Sequence, residues 1–211
     1  MKQTFNDQER KHLDQRIADA EKRTGTQIVM AIVERSDTYS EIPWKAFALG
    51  TSLAGLLTLL MNLASPAASP AMAALLAIVM MLSAGAGLAL LCVFVPDFAR
   101  LFLHIHRAEV ETKQYAESLF LSRQMFGARD RRAVLLMVSL FERWIVVLPD
   151  KGLAQKLNQN ATETIIQHMR MDLKAGKTAR ALDAGLTKLE EIITQPESPN
   201  ELPNVIEEKG V

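Results

Sequence analysis

AFALGTSLAGLLTLLMNLA, residues 46–64, and AMAALLAIVMMLSAGAGLALLCVFV, residues 71–95, decide the reading of this chain. No charged side chain stands between Lys45 and Asp97, in a sequence that is 23% Asp, Glu, Lys and Arg overall. Each run has the length of about 20 residues that a helix needs to cross a hydrocarbon core about 30 Å thick. Only Thr, Ser, Gly and Asn62 interrupt the apolar residues, and all of these are common in lipid-spanning helices. A helix in a soluble core is usually shorter and keeps a polar stripe. The connector Ser65-Pro66-Ala67-Ala68-Ser69-Pro70 is turn-sized, and its prolines remove backbone donors and stop helices. The spacing therefore predicts a transmembrane hairpin over residues 46–96. A secretory signal peptide does not fit, because the first 45 residues are polar and charged.

Working outward, basic residues set the orientation. Arg35 and Lys45 precede the first span, Arg100 and Arg107 follow the second, and the connector has none. The expectation is a multi-pass protein of a bacterial inner membrane with both termini cytoplasmic. Trp44 beside Lys45 reads as an interfacial anchor pair, and Arg100 and Arg107 are placed at the same interface. Cys92 is the sole cysteine and lies within the second span, so no intrachain disulfide can form. The 24 basic and 24 acidic residues balance, which gives no basic excess for nucleic acid.

The polar parts, residues 1–45 and 97–194, together have the size of one domain. The first begins with a helix capped by Asn6 or Asp7, with Phe5 behind as a staple, Leu13, Ile17 and Ala20 on one face, and Thr24-Gly25 at its end. Gln27 to Val33 is an apolar run of strand length, of the kind buried on both faces. After the hairpin a long helix is expected from about Phe98 to Met125, closed by Gly127. Ala133 to Leu140 and Trp144 to Leu148 are apolar runs too close for a crossover, so they predict an antiparallel hairpin. Asp150 caps a short helix. Two amphipathic helices follow, carrying Ile165, Ile166, Met169 and Leu173, then Leu182, Leu186, Leu189 and Ile193, with Gly176 between them. Residues 195–211, with Pro196, Pro199 and Pro203, read as a disordered tail.

This order, with AEKRTGTQIV at 20–29 and VLLMVSLFERWIVVLPDKGL at 134–153, resembles the TPM domain family, and in particular bacterial members with a two-helix membrane hairpin after the first strand. The resemblance implies an α/β fold, a small α/β/α sandwich interrupted by the hairpin. It also brings two expectations of activity, since some members are reported as acid phosphatases linked to photosystem repair and others are said to bind calcium. The chain departs from the family at two places. No Asn-Gly precedes the strand after Arg132, and Pro149-Asp150-Lys151-Gly152 stands where a glycine-rich stretch is common.

The residues themselves point to little catalytic chemistry. His104 and His106 fall on different helix faces, His12 and His168 have no ligands at metal spacing, and no metal or cofactor site is expected. Gly85 and Gly87 lie within a span and read as helix packing, not a phosphate loop. Ser139 lacks the glycines of a nucleophile elbow and reads as a buried hydroxyl. Ligands in open α/β sheets gather beyond the carboxyl ends of strands, so Arg35 and Asp37 after the first strand and Asp150 and Lys151 after the last form a candidate ligand edge, if those strands run parallel. Arg129-Asp130-Arg131-Arg132 is either a solvated loop or a patch for anionic headgroups. The expectation is a membrane-tethered, non-catalytic binding or assembly module, whose partners are the lipid bilayer and another membrane or membrane-associated protein. A membrane-bound phosphatase or calcium-binding module is the alternative.

Overall fold

The computed structural model describes residues 7–65 and 69–194. The Phe5–Asn6 cap, the connector residues 66–68 and the tail from Gln195 lie outside them. The elements are α1 (Asp7–Thr24), β1 (Gln27–Val33), α2 (Glu41–Ala64), α3 (Pro70–Phe94), α4 (Pro96–Ala99), α5 (Ile105–Ser122), β2 (Ala133–Ser139), β3 (Trp144–Pro149), α6 (Gln159–Lys174) and α7 (Thr178–Thr194). The fold is a small α/β domain with one three-stranded sheet in the order β1-β2-β3.

Backbone bonds fix the strand directions. Gln27 donates to the Arg132 carbonyl at 2.8 Å and Leu140 to the Val33 carbonyl at 2.9 Å, so β1 and β2 run parallel. Asp150 donates to the Ala133 carbonyl at 2.8 Å, so β3 runs antiparallel to both. All seven residues of β2 are buried, which requires cover on both faces. β1 is an edge strand instead. Ile28 is buried, but the residues from Val29 to Val33 are only half-buried, because one flank has no neighbour among the described residues. That corrects the expectation of a first strand buried on both faces.

The chain divides into two compact units. The first comprises Met1–Ile32, Ala116–Val138 and Ile145–Val211. There α7 turns Leu182, Leu186, Leu189 and Ile193 inward at its helical period, and α6 does the same with Ile165 and Met169. Gly185 lets them approach, since a Cβ there would stand 2.6 Å from Met169 Sδ. Arg16 pairs with Asp183 at 2.9 Å and Arg23 with Glu190, joining α1 to α7.

The second unit comprises Val33–Tyr115 and Ser139–Trp144. Helices α2 and α3, of 24 and 25 residues, are long and apolar enough to cross a membrane. Only 17% and 11% of their most apolar windows are buried within the chain, so they are not a hairpin enclosed in a soluble core. They touch at glycine, because a Cβ on Gly50 would lie 2.7 Å from the Ala84 carbonyl oxygen.

The single helix expected from Phe98 to Met125 is broken. Val95 is extended (φ −120, ψ 94) because Pro96 follows it, which separates α3 from α4. A 3-10 turn over Arg100–Phe102 ends at extended Leu103, and α5 starts afresh at Ile105. Its end also differs from the expectation. Gln124 takes the left-handed conformation (φ 52) after Ser122, and Gly127 lies in the 3-10 turn that follows.

Candidate functional site

Two places carry the polar side chains of interest, one in each unit. In the second unit the segment after β1 meets the turn between β2 and β3. The ladder continues past β1, since Phe141 donates to the Glu34 carbonyl at 2.9 Å. This brings Glu142, 8% exposed, against Ser36, whose backbone N–H donates to Oε1 at 2.8 Å. The Ser139 hydroxyl donates to the other carboxylate oxygen, and Ser36 Oγ donates to Ser139 Oγ at 3.1 Å. A buried carboxylate is tolerable when hydrogen bonds replace its water, and here both oxygens have one.

Around this knot lie Tyr39, its ring 5.7 Å from that of Phe141 and tilted 37° to it, and the Arg35 guanidinium, 4.1 Å above the Phe141 ring. Tyr39 is 1% exposed and its hydroxyl has no hydrogen-bond partner among the described residues. Burial, then the nearby Glu142 carboxylate, pushes its phenol well above the ordinary range. Arg100 closes the turn by donating from Nε to the Phe141 carbonyl at 2.7 Å and from Nη2 to the Leu140 carbonyl at 3.1 Å. Its third nitrogen pairs with Asp97, which also takes Arg143 at 3.1 Å. Arg107 binds Glu41 at 2.8 Å, Asp37 at 3.2 Å and Glu111 at 3.5 Å. Lys45 lies 4.0 Å from Glu41, and Trp44 is 72% exposed.

In the first unit Asp150 is 4% exposed. Its Oδ1 accepts from the Lys151 backbone N–H at 2.8 Å and from Arg131 at 2.7 Å, while Oδ2 is buried without a partner among the described residues. It caps a 3-10 turn, Lys151–Leu153, with Lys151 itself exposed. Gly152 follows closely under the Asp130 carbonyl, where a Cβ would stand at 2.3 Å, so no other residue fits there.

Arg35 and Asp37 belong to the second unit and Asp150 and Lys151 to the first. The antiparallel run of β3 removes the condition under which Asp37 and Asp150 would share a strand end. Arg100 and Arg107, expected as interface residues, bind turn carbonyls and carboxylates of the protein.

Calcium, which the resemblance implied, takes six to eight oxygen ligands. Among the described residues no group of three His, Cys, Asp or Glu side chains is placed to hold a metal ion, and the carboxylates of Asp37, Glu41 and Glu111 gather on the Arg107 guanidinium. Asp37 and Asp150 each already hold a guanidinium. These residues do not fit such an ion. Ser139 beside Glu142 is a hydroxyl with a base, yet Ser139 is fully buried and no substrate can reach it. Glu142 and Tyr39 escaped the sequence reading. The signal that could have found Glu142 is an acidic residue in a short turn three positions after a strand serine.

A sequence model described as the TPM domain matches residues 1–58 and 73–192. Its break, residues 59–72, takes in the end of α2, the connector and the first residues of α3. The NMR structure of BA42 protein from the psychrophilic bacterium Bizionia argentinensis is similar, with a TM-score of 0.53 at 15% identity, over 98% of this chain and 96% of that one. At that identity the likeness concerns the fold alone. A search of curated proteins finds no match.

Proposed function

This chain belongs to the TPM domain family, and from that premise we propose that it is a TPM domain tethered to a bacterial inner membrane by the α2–α3 hairpin, acting as a non-catalytic binding or assembly module for another membrane or membrane-associated protein. One observation carries the tether. Two consecutive helices of 24 and 25 residues present Leu, Met and Val on the faces they turn away from each other, with Leu63 72%, Met61 62% and Val93 60% exposed. Water would disfavour such a surface, and hydrocarbon would not. The distribution of Arg35, Lys45, Arg100 and Arg107 against an uncharged connector supports cytoplasmic termini.

The non-catalytic part rests on the state of the candidate groups. Asp37 and Asp150 are held by arginines, and Ser139, the hydroxyl bonded to Glu142, is buried. The test has two arms. With Cys92 replaced by Ala, cysteine placed at Ser69 should react with an impermeant thiol reagent from outside intact cells, and cysteine at exposed Met171 should not. The reverse pattern overturns the orientation, and reaction at neither site from outside with easy release of the protein by alkaline carbonate overturns the tether. Purified full-length chain in detergent should show no phosphomonoester turnover above background. Turnover abolished by Asp150→Asn would put a phosphohydrolase in place of the binding module.

A further inference from the structure

The path from α3 to α5 leaves two large apolar residues uncovered at the foot of the hairpin. Phe98, Phe102 and Leu103 pack against the cluster of Tyr39, Ile42, Ala46, Cys92, Ala99 and Phe141, but Leu101 between them is 76% exposed. Ile105 is 75% exposed although it heads the buried face of α5, with Ala108 and Thr112 three and seven residues on at 3% and 0%. The inward stripe of α5 is therefore covered from Ala108 onward and bare at its first residue.

We propose that Leu101 and Ile105 form a lipid-contacting surface that dips into the boundary between headgroups and acyl chains. The break between α3 and α5 then serves as an in-plane elbow. This rests on the membrane reading of α2 and α3. Three observations favour lipid over a protein partner. Leu101 stands in the 3-10 turn that follows α4, within two short elements of Phe94 at the end of α3, so the surface lies close along the chain to a helix long and apolar enough to span. Residues 101–106 carry only His104 and His106 as titratable groups, and the flanking Arg100 and Arg107 are engaged by the protein's own carbonyls and carboxylates. Trp44, of a residue type enriched at membrane–water boundaries, is 72% exposed at the start of α2, the other foot of the hairpin. A segment with this division of faces settles about 5–10 Å into the boundary rather than crossing it.

The test uses full-length chain, with Cys92 replaced by Ala, reconstituted in vesicles of phosphatidylethanolamine and phosphatidylglycerol. Spin labels are placed singly at Leu101, Ile105, Glu109 and Leu59, and collision with oxygen is compared with collision with a water-soluble nickel chelate. Labels at 101 and 105 should show an oxygen-to-nickel ratio several-fold above that at exposed Glu109, and below that at Leu59 on the outer surface of α2. If Leu59 favours oxygen while 101 and 105 behave like Glu109, the elbow is not in the boundary and the hairpin reading stands. Labels at 101 and 105 shielded from both agents would mean that protein covers them, which also overturns the inference. A Leu59 label that favours nickel would remove the membrane reading itself.

Discussion

Glu142 and Tyr39 are neighbours treated oppositely by the fold. The carboxylate has a donor on each oxygen, so its burial leaves nothing unsatisfied. The phenol is buried with no partner among the described residues, and ionising it would place a second negative charge beside the first. A phenol whose pKa is raised by folding contributes stability that is complete below the ordinary value of about 10 and is lost as pH rises through the raised one. The chain and its Tyr39→Phe variant should therefore give the same phenolate absorbance through pH about 10, and differ only where the fold is lost. A difference near pH 10 would show that Tyr39 is not sealed. Of this cluster the sequence made Ser139 legible as a buried hydroxyl, because apolar neighbours surround it on both sides. Glu142 was legible only through its spacing from Ser139; its bond to the Ser36 backbone N–H was not, since Ser36 lies 106 positions away and no local period joins them. Asp37 and Asp150 were legible as residues beyond strand ends, but the guanidiniums they meet come from Arg107 and Arg131 through tertiary structure alone.

Hydrophobic period and proline placed most elements, and misplaced those where a tertiary contact outweighed them. The β2–β3 hairpin, the end of α1 at Thr24 with Gly25 left-handed (φ 62), and the two terminal amphipathic helices follow local pattern. The helix expected after the hairpin does not, because Arg100 is drawn to the Leu140 and Phe141 carbonyls and the chain turns there. Within the hairpin the glycines divide by what surrounds them. A Cβ on Gly50 would meet Ala84 O at 2.7 Å and Gly85 Cα at 2.9 Å, both backbone atoms that cannot step aside, whereas one on Gly87 meets nothing within 4 Å. Gly50→Val should therefore push α2 and α3 apart and destabilise the protein by about 1–3 kcal/mol, the usual range for overpacking. Gly87→Ala should be neutral or slightly stabilising through helix propensity. Thermal unfolding of the two variants in detergent checks this, and equal midpoints would mean that the helices are not held at the glycine contact.

At the scale of the molecule, the first unit takes in chain from before α2 and from after α3. Strand β2 is buried along its length and pairs with β1 from the first piece as well as with β3 from the second. What the sequence misjudged is how β1 is covered: Ile32 is half-exposed at the sheet's edge, and Ile28, 3% exposed, is the residue that fills the interior. Leu13 at 6% and Ala20 at 0% join it among the buried residues of the first unit. Burying Leu13 and Ile28 contributes about 1.5–3 kcal/mol each. Losing them, together with the hydrogen bonds of a strand, would remove much of a stability that is about 5–15 kcal/mol for ordinary domains. Residues 97–194 expressed alone should consequently lack native-like hydrogen-exchange protection in β2, whose flank would be unpaired and whose apolar face would be open to water. Supplying residues 1–45 as a separate chain should restore part of that protection, because α1 carries its own ion pairs to α7 at Asp183 and Glu190. Full protection of β2 in the fragment alone would show that the second piece is a complete domain, and the hairpin would then join two parts that fold independently.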